Sequence, residues 1–186
     1  TGGKYAKKLE VADGKTFSFG KYTTIKFSKP VFHGPEDSAL GWVLMTTVEC
    51  EDEKFMFAPD VQGPMAMETL RIIEAEKPQL LMIGGPPLYL AGFKVNDEQV
   101  QAGLKGLAHV VEVVKVVILE HHILREEKWR EKVEATFSKA RETGCKILTA
   151  AEFLGVENSF LEASRRRLYA ENPPTSEFER WMRGST

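Results

Sequence analysis

The sequence predicts a mixed α/β domain in which an antiparallel β-meander leads into parallel βα units. Three observations predict it. Residues 1–64 hold short β-prone runs separated by turn formers. Residues 65–155 alternate apolar runs of strand length with stretches of helical period. Residues 156–186 keep only helical spacing, interrupted at Asn172-Pro173-Pro174. At 186 residues the whole, 1–186, reads as a single domain or one lobe of a larger one.

The meander comes first. Leu9 and Val11 face Phe17 and Phe19 across Ala12-Asp13-Gly14-Lys15, and Asp-Gly between β-prone runs predicts a hairpin. Gly20-Lys21 makes a second turn. Ile25, Phe27 and Val31 continue a strand that ends at His33-Gly34-Pro35. Gly41 to Val48 is the next strand, rich in Val, Thr and Trp, and the acidic turn 49–53 reverses it. Phe55 to Ala58 closes the meander, stopped by Pro59-Asp60.

Met65 to Ala75 then has helical spacing, with Met67, Leu70 and Ile73 on one face. Leu80 to Ile83 is apolar throughout, which suits a strand covered on both faces, and ends at Gly84-Gly85-Pro86-Pro87. Asp97 to Val114 predicts a second helix, with Asn96 or Asp97 near its cap. Val116 to Leu119 is a buried strand. Glu126 to Thr143 predicts a third helix capped by Gly144, and Cys145 to Leu148 a last short strand.

Strand direction follows from this order. The strand over 41–48 runs opposite to both its sequence neighbours, so the strands ending at His33 and Asp60 point the same way. Each later strand is joined to its predecessor by a helix and keeps that direction. The loops after His33, Asp60, Ile83 and Leu119 therefore open on one edge of the sheet. Ligands of α/β folds sit outside the carboxyl ends of strands.

Three of the four histidines lie on that edge: His33, His121 and His122. Asp60 joins them. Imidazole nitrogen and carboxylate oxygen are donors that zinc and similar divalent ions accept, so this edge is a candidate metal half-shell. The competing reading is that polar residues gather at strand ends without a binding role. His109 falls inside a helix and reads as structural. Gly84-Gly85 lacks a following Lys and Ser/Thr, which argues against a nucleotide P-loop and for a rigid turn.

Composition limits the partners. The net charge of −2 argues against nucleic acid or an acidic membrane as an obvious partner. Arg165-Arg166-Arg167 reads as a solvated helix face beside Glu157, Glu162 and Glu171. The longest apolar run, Val110 to Leu119, is broken by Glu112 and Lys115 and is too short to span a bilayer. Cys50 and Cys145 match no zinc-knuckle spacing and read as reduced thiols, which points to a cytoplasmic protein. Trp42, Trp129 and Trp181 read as core or docking residues. The segment from Glu177 to Arg183 has apolar residues at helical spacing, for packing on the body or on a second subunit in a homo-oligomer.

Four runs carry a family resemblance. They are Phe57-Ala58-Pro59-Asp60-Val61-Gln62-Gly63-Pro64, Met82 to Phe93, Val117-Ile118-Leu119-Glu120-His121-His122-Ile123-Leu124-Arg125, and Lys146 to Gly155. The chain resembles a mainly archaeal branch, UPF0282, of the metallo-β-lactamase superfamily over nearly all its length. The resemblance implies half of an αββα sandwich with a two-metal site at one edge. His33 matches the third metal motif of that superfamily, and Asp60 matches the fourth, the carboxylate that bridges both ions. His121 is the first choice for the fifth and His122 the second, because His121 and Arg125 keep the spacing of ribonuclease Z-like members. Gly84, Gly85, Glu120 and Arg125 are candidates for the substrate edge. No catalytic residue is assigned in this chain.

One departure stands out. The superfamily's His-x-His-x-Asp-His run is absent from these 186 residues. The chain is therefore expected to be the C-terminal half of a metal-dependent hydrolase, completed by an N-terminal half that lies upstream or on another polypeptide. In the complete site two zinc ions are expected, with a small-molecule or phosphodiester substrate. With about two donors per ion where catalytic zinc usually has three, this chain alone is expected to bind zinc weakly or not at all. The alternative is a non-catalytic binding or scaffold domain that retains the fold without that motif.

Overall fold

A computed structural model describes residues 4–184. Seven strands form one sheet in the order β1-β2-β5-β6-β7-β8-β9. The first four are β1 (Thr16–Phe19), β2 (Thr23–Phe27), β5 (Thr46–Cys50) and β6 (Glu53–Ala58), antiparallel to one another in that order. Then β7 (Leu80–Gly84), β8 (Val116–Glu120) and β9 (Lys146–Thr149) add parallel to β6. The mixed α/β topology and the common direction of β2, β6, β7 and β8 are those the sequence predicts.

Four element predictions need correction. The arm at Leu9–Val11 forms no strand; the turn at Asp13–Gly14 is present, but Leu9 and Val11 stay exposed with no layer to cover them. The strand expected to run from Ile25 to His33 breaks after Phe27. Pro30 has no N–H to give the ladder, and the Ser28 N–H donates to the Met45 carbonyl while the Ser28 Oγ accepts from the Met45 N–H. The chain then builds a separate ribbon of β3 (Val31–Phe32) and β4 (Trp42–Val43). The expected strand over 41–48 is split at the same place, where Met45 turns fully into the core. The expected helix over 126–143 becomes α3 (Trp129–Lys132) and α4 (Glu134–Thr143), divided at Val133, a buried residue outside helical conformation.

Helix α1 (Met67–Glu76) buries Thr69, Leu70 and Ile73, whereas Met67 is exposed. Its end is fixed by Lys77 in the left-handed region, whose N–H donates to the Ile73 carbonyl. Helix α2 (Asp97–Val113) starts from a reciprocal cap: Asn96 Oδ1 accepts from the Gln99 N–H, and Gln99 Oε1 accepts from the Asn96 N–H. Short helices α5 (Ala150–Phe153), α6 (Arg165–Glu171) and α7 (Ser176–Gly184) follow. Phe178, Trp181 and Met182 of α7 are exposed. No helix among the described residues is long and apolar enough to cross a membrane.

The core lies on one face of the sheet. Met56, Ala58, Leu81, Ile83, Val117, Leu119 and Ile147 alternate inward and join Ile73, Leu107, Val110 and Trp129. Trp129 is the one tryptophan that enters this core; Trp42 stacks on Phe32 in the ribbon and stays exposed. The register places Phe17, Ile25, Phe27, Val48, Phe55, Phe57, Met82, Ile118 and Leu148 on the opposite face. Apart from the buried Ile118 they are only half-buried.

Candidate metal centre

Each candidate ligand sits just past a strand end. His33 follows β3, and its backbone N–H donates to the Gly41 carbonyl, which closes the ribbon. Asp60 follows β6 with φ 54°, a left-handed conformation that Asp tolerates better than most residues. Glu120 ends β8, and His121 and His122 come next; His122 opens the tight turn Ile123–Arg125. The parallel register aligns Ala58 with Ile83 and Gly84 with Glu120, so these loops rise from one rim.

The structure brings His33, Asp60, His121 and His122 together. His121 Nε2 lies 2.9 Å from Asp60 Oδ1. His122 Nε2 lies 3.1 Å from the same oxygen, in hydrogen-bond geometry. His33 Nε2 is 3.7 Å from it, too far for a hydrogen bond. Ligand atoms of His33, Asp60 and His122 all lie within 4.8 Å of one another, so this trio could hold a metal ion. His33 Nε2 is buried and has no hydrogen-bond partner. A buried ring nitrogen unpaired beside a carboxylate is a donor available to an electrophile, and imidazole with carboxylate is a donor set for zinc-like ions.

Burial pushes the His122 imidazole down to about 4, helped by the charges of His121 and Arg125 and opposed by Asp60. His122 is thus neutral near pH 7, the form that coordinates metal. His121 Nδ1 approaches Glu120 Oε1 at 3.1 Å. The pair is not aligned as a hydrogen bond, and that oxygen is otherwise without a partner.

The remaining edge candidates take different places. Gly84 and Gly85 are buried, and their place is packing. A Cβ on Gly84 would stand 3.0 Å from the Asp60 nitrogen, and one on Gly85 would stand 2.7 Å from Ile123 Cβ. Arg125 donates through Nη1 to Tyr89 Oη at 2.8 Å. His109 is exposed on α2, in a groove between that helix and α4.

Sequence reasoning missed what seats the Asp60 loop. Gly63 has φ 136°, and a Cβ there would meet the Gly103 backbone at 2.5 Å. A Cβ on Gly103 would meet the Gln62 carbonyl oxygen at 2.5 Å, and one on Gly106 the Pro64 carbonyl oxygen at 2.1 Å. Helix α2 thus presents two side-chain-free positions, one turn apart, against which residues 62–64 lie. The signal was available: two glycines inside one helix cost stability unless something approaches closely. Gln62 is buried beside Gly34, whose absent Cβ would stand 2.8 Å from the Gln62 amide. Beyond His33 and His122 a cleft of about 680 Å³ opens, bordered by Gln62, Leu90, Lys94 and Gln99.

No protein-family model matches the chain. It is 33% identical over 174 residues to a UPF0282 protein of Korarchaeum cryptofilum, covering 93% of this chain and 58% of that protein. It is 42% identical over 164 residues to a UPF0282 protein of Methanocaldococcus jannaschii, covering 88% and 52%. A UPF0282 protein of Aeropyrum pernix is 39% identical over 167 residues, covering 87% and 57%. The chain spans about half the length of the curated relatives it matches. A solved structure of a CmlA beta-hydroxylase mutant superposes with a TM-score of 0.45 at 15% identity, over 76% of this chain and 32% of that one.

Proposed function

We propose that this chain is the C-terminal part of a metal-dependent hydrolase of the metallo-β-lactamase type, and that His33, Asp60, His121 and His122 are its metal ligands. The observation that supports this most is the convergence of three imidazole Nε2 atoms, from segments far apart in sequence, on Asp60 Oδ1. His33, Asp60 and His122 would hold one zinc ion, and Asp60 with His121 would offer donors to a second. Such ions supply Lewis acidity and lower the pKa of water from about 15.7 to roughly 7.

The chain's own residues do the rest. The Asp60 loop, backed by Gly103 and Gly106, fixes the carboxylate. Burial keeps His122 neutral, with Nε2 turned to Asp60. The cleft beside His33 and His122 admits substrate. One ion would have three protein donors, the usual number for a catalytic zinc, and the second only two. The missing donors are proposed to come from a further part of the protein, upstream or separate, and the half-buried apolar face of the sheet is where a second layer would sit.

Zinc uptake by the chain, measured by equilibrium dialysis and elemental analysis, tests the reading. Weak uptake that is lost in Asp60→Ala is expected, with no turnover of nitrocefin or bis(p-nitrophenyl) phosphate. Uptake unchanged by Asp60→Ala would remove the metal assignment. A tightly held zinc with turnover by this chain alone would remove the need for further donors.

A further inference from the structure

Arg125 is half-buried, yet no carboxylate pairs with it among the described residues. Its Nη1 donates to the Tyr89 hydroxyl, which is neutral, and its Nε is buried without any partner. Withdrawing a guanidinium from water without a counter-charge is costly, so such a group is usually matched by an anion. Three carboxylates are close by, and two of them are engaged elsewhere. Glu126 holds Lys132 at 2.6 Å, and Glu162 holds Arg165 at 3.1 Å. Glu127 is exposed and has no ion-pair partner among the described residues.

Arg125 lines a cleft of about 540 Å³ together with Tyr89, Ser164 and Arg166, and Glu126, Glu127 and Glu162 line the same cleft. Arg165 and Arg167 are tied to Glu162 and Glu171, as a solvated helix face predicts. Arg166 differs: it is exposed, lines the cleft and has no ion-pair partner among the described residues. Two guanidinium groups that make no ion pair among the described residues, a tyrosine hydroxyl and a serine hydroxyl thus share one concave surface. Its position is set by the metal rim, because the Arg125 N–H donates to the His122 carbonyl within the same tight turn.

We infer that this cleft is an anion subsite that takes a phosphate group of the substrate, held by Arg125 and Arg166 one turn from His122. Planar guanidinium groups bind phosphate through paired N–H donors, and two of them match a doubly charged, multi-oxygen anion better than a single carboxylate. The aromatic ring of Tyr89 beside Arg125 suits a nucleobase next to that phosphate. The substrate class is then a phosphoester of a nucleotide or short single strand. The link to hydrolysis rests on the metal reading above; binding of phosphate does not.

The test uses the whole chain stripped of metal with a chelator. Probes are a nucleoside 5′-monophosphate, the matching nucleoside, inorganic phosphate and a short fluorescent single-stranded RNA. Binding of the phosphorylated probes and not of the nucleoside is expected. Arg125→Gln and Arg166→Ala should each weaken it by about tenfold. For RNA, each change should reduce the salt slope by about 0.7. The RNA and mononucleotide arms decide which source of phosphate is preferred. Arg166 is exposed, so its variant keeps the fold even if Arg125→Gln does not. Equal affinity for nucleoside and nucleotide, no binding, or an affinity unmoved by Arg166→Ala would overturn the inference. Zinc uptake measured on the same samples separates this failure from failure of the metal reading.

Discussion

The His122 imidazole ties the candidate centre to stability. Its folded pKa lies near 4 against an ordinary 6.5. Between those values the unfolded chain binds more protons than the folded one, so stability rises with pH across the window and falls as the solution is acidified through it. The effect is at most about 3 kcal/mol. Urea unfolding between pH 4 and 7 should therefore show a positive slope in the wild type. His122→Gln should flatten it. Equal slopes in the two proteins would show that His122 is not held neutral by its surroundings.

At the scale of elements, the contact between helix α2 and the Asp60 loop is governed by missing side chains. Gly106→Ala gains about 1 kcal/mol of helix propensity. It also drives a methyl group against the Pro64 carbonyl, a backbone atom that cannot swing aside, and a clash of this kind commonly costs about 1–3 kcal/mol or more. Net destabilisation and weaker zinc uptake are expected together, because the displaced loop carries Asp60. Lys105→Ala, exposed between the two glycines, should be neutral within about 0.5 kcal/mol. Thermal melting and zinc titration of the three proteins check this. Such local determinants explain what was legible in the sequence. Continuous apolar runs marked β7 and β8, and the Asn96 cap marked the start of α2. The common direction of the strands places three distant loops on one edge from strand order alone. The ribbon was not legible, because Ser28 and Met45 break their strands through a bond between residues 17 apart. Nor was the packing role of Gly84 and Gly85, which depends on Ile123 and Asp60 arriving from other segments.

For the molecule as a whole, the two faces of the sheet differ. One is sealed by helices; the other presents Phe17, Phe27, Phe55, Phe57 and Met82 half-buried in a row. Apolar patches of this kind on soluble proteins mark surfaces that another layer covers. The isolated chain should enhance the fluorescence of an anilinonaphthalene dye and associate with rising concentration in sedimentation velocity. Phe57→Lys should reduce both, and a dye-silent monomer would show the face is already closed. The ribbon has a separate consequence. Three of the four proposed ligands belong to the main sheet, whereas His33 is carried on two short strands attached through the break at Ser28 and Met45. An ion gripped from both sides would act as a clasp, fastening a flap that is otherwise held by few bonds. Loading would then be felt most at residues 28–45, as slowed protease cleavage there, while the sheet itself stays unchanged.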